Sequence, residues 1–192
     1  MKELAYCCPR CKGPLSSRPE AYICAACDVQ YPVVLDIPDF RVFPDPYIGL
    51  EEDHRKGRRI AERAANSDFK ALVEFYWAIT PDEPPEMARR FTAQAIAAAD
   101  RGRQLLDAQP AVQNNLRSQG ARLLDLGSRT GGLLLAATER AGQVVGIDIA
   151  FRWLIIARKR LEEAGRSAQL VCCCAEFLPF RENGFDVVVA EN

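Results

Sequence analysis

Two groups of residues in this chain are spaced to do chemistry. The first is a pair of C-x-x-C units, Cys8-Pro9-Arg10-Cys11 and Cys24-Ala25-Ala26-Cys27, with 12 residues between them. Two residues between thiolates let both sulfurs point into one turn, and two such turns close a tetrahedral zinc site. Pro9 pre-shapes the first turn, and Gly13 leaves the backbone beyond Cys11 unhindered. Four thiolates leave no open coordination position, so Cys8, Cys11, Cys24 and Cys27 read as ligands of a structural metal. A disulfide or a redox C-x-x-C is the lesser alternative. Cys7 fits the spacing less well than Cys8.

The second group begins at "LLDLGSRTGG", residues 123–132, and continues to "GIDIA", residues 146–150. Asp125, Gly127 and Gly131 mark a turn after an apolar strand, and Asp148 ends a second strand 21 residues after Gly127. A glycine turn lets backbone approach a cofactor at a helix N-terminus, and an acid at the end of the next strand accepts from ribose hydroxyls. That spacing fits both dinucleotides and S-adenosylmethionine. A dinucleotide fingerprint needs glycine at 127, 129 and 132, and Arg129 takes the middle place, where backbone must meet a pyrophosphate.

These residues need elements to hold them. Residues 121–127, 143–149, 168–175 and 185–191 read as short apolar strands. Between them run helical stretches 131–142, closed by Gly142, and 151–164, ending before Gly165. Strands alternating with helices imply an α/β fold, a Rossmann-like doubly wound parallel sheet with ligands at the carboxyl ends of its strands. The chain stops at what reads as the fourth strand, so the sheet is expected to be incomplete and the sequence a fragment. Upstream, "FPDPYIGLEED" is a linker, followed by helices at about 51–65, 68–79 and 86–108, with Ser67 or Asp68 as N-cap. The expected division is 1–43, 44–118 and 119–192.

Several other features read as structural. Phe75, Tyr76 and Trp77 could line a substrate pocket, but they point to different sides of one helix, cannot form one stacking face, and are expected in the core in preference to a pocket. "HRKGRR" follows acidic residues and reads as a solvated helix face, with His54, the sole histidine, at the surface. Cys172, Cys173 and Cys174 read as a buried strand end rather than a nucleophile or metal site. The net charge of −1 makes no general case for nucleic-acid binding. No apolar run is long enough for a membrane span, and no secretory h-region precedes the cysteines, so a cytoplasmic location is expected.

Two resemblances sharpen these readings. "CDVQYPVVLDIPDFRV", with Tyr31-Pro32 and Ile37-Pro38 after the last cysteine, resembles small zinc-ribbon domains related to a subunit that activates several methyltransferases. It covers residues 3–43 and implies a docking surface for a protein partner. "LLDLGSRTGG", "GIDIA", "AEFLPF" and "FDVVVAEN", in that order, resemble the class I S-adenosylmethionine-dependent methyltransferases of the small-molecule type, over residues 119–192. That resemblance implies cofactor contacts at Asp125, Gly127, Ser128, Arg129, Gly131, Asp148, Ile149, Ala175 and Glu176. It also implies methyl transfer to a small-molecule, lipid or glycan-type acceptor. The sequence departs from the family at Arg129 and at Cys174, where an Asp often holds the adenine amino group. No catalytic base is identified. The large-subunit rRNA guanine-N1 methyltransferases also join a zinc ribbon to this fold, with a histidine where this chain has Cys27. RNA methylation is therefore the second reading, and a non-catalytic scaffold the third.

Overall fold

The computed structural model describes residues 5–118 and 120–191. The N-terminal part is a four-stranded antiparallel sheet: β1 (Ser16–Arg18), β2 (Ala21–Cys24), β3 (Val29–Val34) and β4 (Ile37–Pro38), paired in that order. Leu35 and Asp36 join β3 to β4 with φ of 49° and 62°. Positive φ at both central residues of a two-residue loop is the geometry whose twist matches the flanking strands. Pro32 sits within β3 opposite Ala21, and Tyr31 turns inward, 2% exposed.

Helices α1 (Leu50–Ala64), α2 (Phe69–Ala78) and α3 (Pro85–Ala108) lie close to their expected positions. Asp68 is the N-cap of α2, and its Oδ1 accepts the Ala71 amide at 2.7 Å. A further short helix, α4 (Pro110–Leu116), was not expected. Seven residues are too few to display a 3.6-residue period, and the prolines at 84, 85 and 110 read as punctuation before they read as helix starts.

The remaining strands are β5 (Arg122–Leu126), β6 (Gln143–Asp148), β7 (Gln169–Cys172) and β8 (Val187–Ala190). They form the expected parallel sheet in the order β7-β6-β5-β8, with α5 (Gly132–Thr138) and α6 (Phe151–Glu163) as crossovers. Alternate residues face opposite ways. Leu123, Val144, Leu170 and Cys172 join the helices in one core cluster. Leu124, Val145, Ile147, Val171 and Cys173 join Tyr31, Phe40 and Phe180 in a second. The N-terminal sheet therefore packs, among the described residues, on the face that α5 and α6 leave open. The chain then runs along the edge strand: Asp39 bridges Cys172 in parallel, and the Phe40 amide donates to the Cys172 carbonyl at 2.7 Å. That contact caps the Cys172 end of the edge strand.

One helix end differs from expectation. α5 stops at Thr138, and Gly142 begins the approach to β6, where an added Cβ would come within 2.6 Å of Gly120 Cα. Gly142 is thus a close-packing residue, not a cap.

Candidate functional site

The four cysteines with zinc spacing come together. Their Sγ atoms all lie within 4.8 Å of one another, with Cys8–Cys27 at 3.9 Å and Cys11–Cys24 at 3.6 Å. A tetrahedral zinc with metal–sulfur bonds of about 2.3 Å spaces its thiolates roughly 3.8 Å apart, so the donor set fits that ion. Burial opposes a Cys8 thiolate, but the Tyr31 hydroxyl at 3.5 Å and the amides of Cys11 and Arg10 outweigh it and bring the thiol down to about 6. Cys7 lies outside the cluster. Its amide donates to the Pro179 carbonyl at 2.9 Å, and Lys12 Nζ donates to the Leu178 carbonyl at 2.6 Å, so this knuckle docks on the loop after β7.

The second site forms at the carboxyl ends of β5 and β6. After Leu126 the backbone turns through Gly127 (φ 75°), Arg129 (φ 47°) and Gly131 (φ 73°) before entering α5. The amides of Gly127 and Ser128 both donate to the Ile147 carbonyl, at 2.9 and 2.8 Å. At Gly131 a Cβ would meet Ala157 Cβ at 2.9 Å, so left-handed backbone and close packing both require glycine there. Arg129 adopts the left-handed region without being glycine, at a cost of about 1 kcal/mol. Arg160, buried on α6, donates from Nε to the Thr130 carbonyl at 2.8 Å and from Nη2 to the Ala95 carbonyl, tying the turn to α3.

Asp148 is buried and both its oxygens are engaged. Oδ2 accepts the Arg129 amide and Oδ1 the Ala150 amide, each at 2.8 Å. Burial raises its pKa, and these two amides work against that rise. Asp125 is also buried, and its Oδ2 has no hydrogen-bond partner among the described residues. Burial, with a smaller push from the Asp148 charge, moves the Asp125 carboxyl up to about 7. Asp125 lines a cavity of about 430 Å³ together with Gly127, Ser128 and Arg129. The other predicted contacts stand apart from its walls. Gly131 packs beneath the turn against Ala157, Ile149 follows Asp148, and Ala175 and Glu176 are exposed on the loop after β7.

Sequence reasoning did not place Phe91 or Trp153 on the opposite wall of the cavity, and for Trp77 it preferred the core to a pocket. Trp77 of α2, Phe91 of α3 and Trp153 of α6 meet there. Trp77 stacks on Phe91 at 5.3 Å between centroids and stands edge-on to Trp153 at 5.8 Å. Of the expected core trio, Tyr76 is buried, while Trp77 is half-buried and faces this cavity. Its helical position was legible, but which neighbour it faces depends on how α2 and α3 cross. The same limit explains His54. It is not a surface residue: its side chain is 15% exposed, and Nε2 lies 2.7 Å from Asp39 Oδ2. The cysteines at 172–174 are buried, as expected. Cys174, at the place where the resembled family often has an Asp, donates from Sγ to the Phe43 carbonyl at 3.6 Å, so the linker closes over it. Among the described residues no helix is long and apolar enough to cross a membrane.

The family described as a methyltransferase domain matches residues 123–192. A demethylmenaquinone methyltransferase from Thermus thermophilus is 40% identical over 80 residues, covering 41% of this chain and 36% of that protein. The bifunctional biotin biosynthesis protein of Cellvibrio japonicus is 33% identical over 128 residues, covering 62% of this chain and 24% of its own length. This chain therefore spans about a third or less of these relatives. The crystal structure of magnesium protoporphyrin IX methyltransferase from Synechocystis, with bound S-adenosylmethionine, aligns at a TM-score of 0.39 and 18% identity. That alignment covers 66% of this chain and 62% of the other.

Proposed function

We propose that the protein transfers the methyl group of S-adenosylmethionine to a small-molecule acceptor and that its N-terminal ribbon holds a structural zinc; the match of residues 123–192 to a methyltransferase domain supports the first half. The observation that carries the first half is the orphaned Oδ2 of Asp125, a buried carboxylate oxygen at the wall of a cavity. A buried acceptor without a partner is costly, and an ammonium group is the partner that would satisfy it. The donor's amino-acid end carries such a group. Asp148 has lone pairs beyond those used by its two amides, and these would accept ribose hydroxyls. Gly127, Ser128 and Arg129 would lie along the donor, with Ile149, Ala175 and Glu176 toward its base.

When bound, the donor supplies a sulfonium-activated methyl group with a neutral thioether as leaving group. The protein's task is then mostly alignment. The aromatic faces of Trp77, Phe91 and Trp153 favour a cation in the cavity and exclude water from it. The four-cysteine cluster leaves no open metal position for a substrate, so zinc would act by holding the ribbon against the sheet.

Calorimetry with S-adenosylmethionine on this chain tests the reading. One-site binding, lost in Asp148→Ala and retained in Asp100→Asn, is expected, because Asp100 lies on the exposed side of α3. Absence of binding to the wild-type chain overturns it.

A further inference from the structure

The turn that carries Asp148 is held by residues far outside the parallel sheet. Asp53 of α1 is fully buried, and its carboxylate takes four donors. Oδ2 accepts from Arg41 Nη1 at 2.7 Å and from the Phe151 amide at 2.9 Å. Oδ1 accepts from Arg152 Nη1 at 3.0 Å and from the Arg152 amide at 3.3 Å. Phe151 and Arg152 open α6, and the residue before them, Ala150, has no side chain able to cap. Asp53 therefore caps α6 from another helix, satisfying its first amides and opposing the positive end of its dipole.

Arg41, in the segment that leaves the ribbon, extends this hold. Its Nη1 donates to the Ile149 carbonyl at 3.0 Å, while Nε and Nη2 grip the Asp39 carboxylate. Burial works against the Asp39 charge, but donors from His54 and Arg41 hold its carboxyl below the usual range. Arg152 Nη1 also reaches Asp45 Oδ2 at 2.9 Å. Of the four residues after Asp148, Ile149, Phe151 and Arg152 are thus bonded to residues 39–53, and Ala150 is bonded to Asp148 itself. Buried ion networks contribute little net stability compared with apolar packing of the same volume, and their best-attested use is to specify one arrangement.

We propose that Asp53 and Arg41 are positioning residues for the donor: they fix the Ile149–Arg152 turn so that Asp148 presents its carboxylate to the ribose. Donor affinity is then set partly by α1 and by the segment joining the ribbon to the sheet. This rests on the donor reading above.

The test is S-adenosylhomocysteine affinity of Asp53→Asn, measured below the melting temperature of both proteins, with hydrogen exchange at the Phe151 and Arg152 amides. Loss of a hydrogen bond to a charged group predicts affinity weaker by about tenfold, with faster exchange at those two amides. Unchanged affinity with a lowered melting temperature marks a purely structural role and overturns the proposal. If Asp53→Asn does not fold, Asp45→Asn, which removes one contact to Arg152 and leaves Asp53 in place, carries the test. A roughly threefold loss is then expected, and unchanged affinity overturns the proposal. A wild-type chain that binds no S-adenosylhomocysteine refutes the donor reading and this role with it. A folded variant that binds like wild type refutes this role alone.

Discussion

Replacing Asp125 with Asn should make the ligand-free protein more stable and the donor site worse. The Asp125 carboxyl moves from 3.8 to about 7 because it is buried without a cation. At about 1.4 kcal/mol per tenfold change, holding that charge costs roughly 4 kcal/mol once the pH is above 7. The folded value is the raised one, so the group's stabilising contribution is complete below about pH 4 and is lost as pH rises to about 7. Between about pH 5.5 and about pH 8 the wild-type chain should lose roughly 2 kcal/mol from this group. Asn has nearly the same shape and cannot ionise, so Asp125→Asn lacks that loss. Urea melts at the two pH values should show the variant ahead by more at the higher one. Calorimetry should show S-adenosylhomocysteine binding weakened by about tenfold or more, since a charge-assisted contact to its ammonium is gone. In the wild type, binding near pH 6 should release a proton, visible as a dependence of the heat on buffer ionisation enthalpy. A variant that is less stable near pH 8, or that binds like wild type, refutes the reasoning.

Three further outcomes follow from the geometry. Arg129→Gly should leave stability unchanged or raise it by up to about 1 kcal/mol, whereas Arg129→Val, β-branched at φ 47°, should cost about 1–2 kcal/mol in thermal melts. If Arg129→Gly leaves donor affinity intact, the arginine is a tolerated substitution rather than a donor contact. Gly132→Ala places a Cβ 2.4 Å from Ala98 Cβ and 2.7 Å from its backbone carbon, so α3 must move off α5, at about 3 kcal/mol in chemical denaturation. Metal analysis should find one zinc per chain, absent in Cys24→Ser; a thiol reagent should reach the four cluster cysteines only after chelation, and ready labelling before chelation would count against the metal.

Much of the site was legible because its signals are local. The C-x-x-C spacing brings two sulfurs into one turn wherever that turn sits, and Cys8 rather than Cys7 joins the cluster as the spacing implied. The glycines at 127 and 131 announce left-handed backbone, which only a turn between strand and helix needs here. Gly142 misled for the same reason, since a glycine near a helix end signals a cap and a close approach equally well. His54 shows the opposite limit: it belongs to a charged run that does point partly to solvent, yet Asp39 lies against it from the far side of the linker.

The sequence by itself determined the alternation of strands and helices after residue 120, the four-cysteine cluster and the turn with its two acids, because each is written in local spacing. Tertiary structure alone decided what covers the sheet and what faces the cavity. The ribbon fills the face that the crossover helices leave bare, through Tyr31 and Phe40 against Val145, Ile147 and Val171. Trp77, Phe91 and Trp153 converge from three helices. Asp53 caps a helix that begins 98 residues later. These contacts depend on how amphipathic elements cross, and periodicity tells which face an element buries without telling against what.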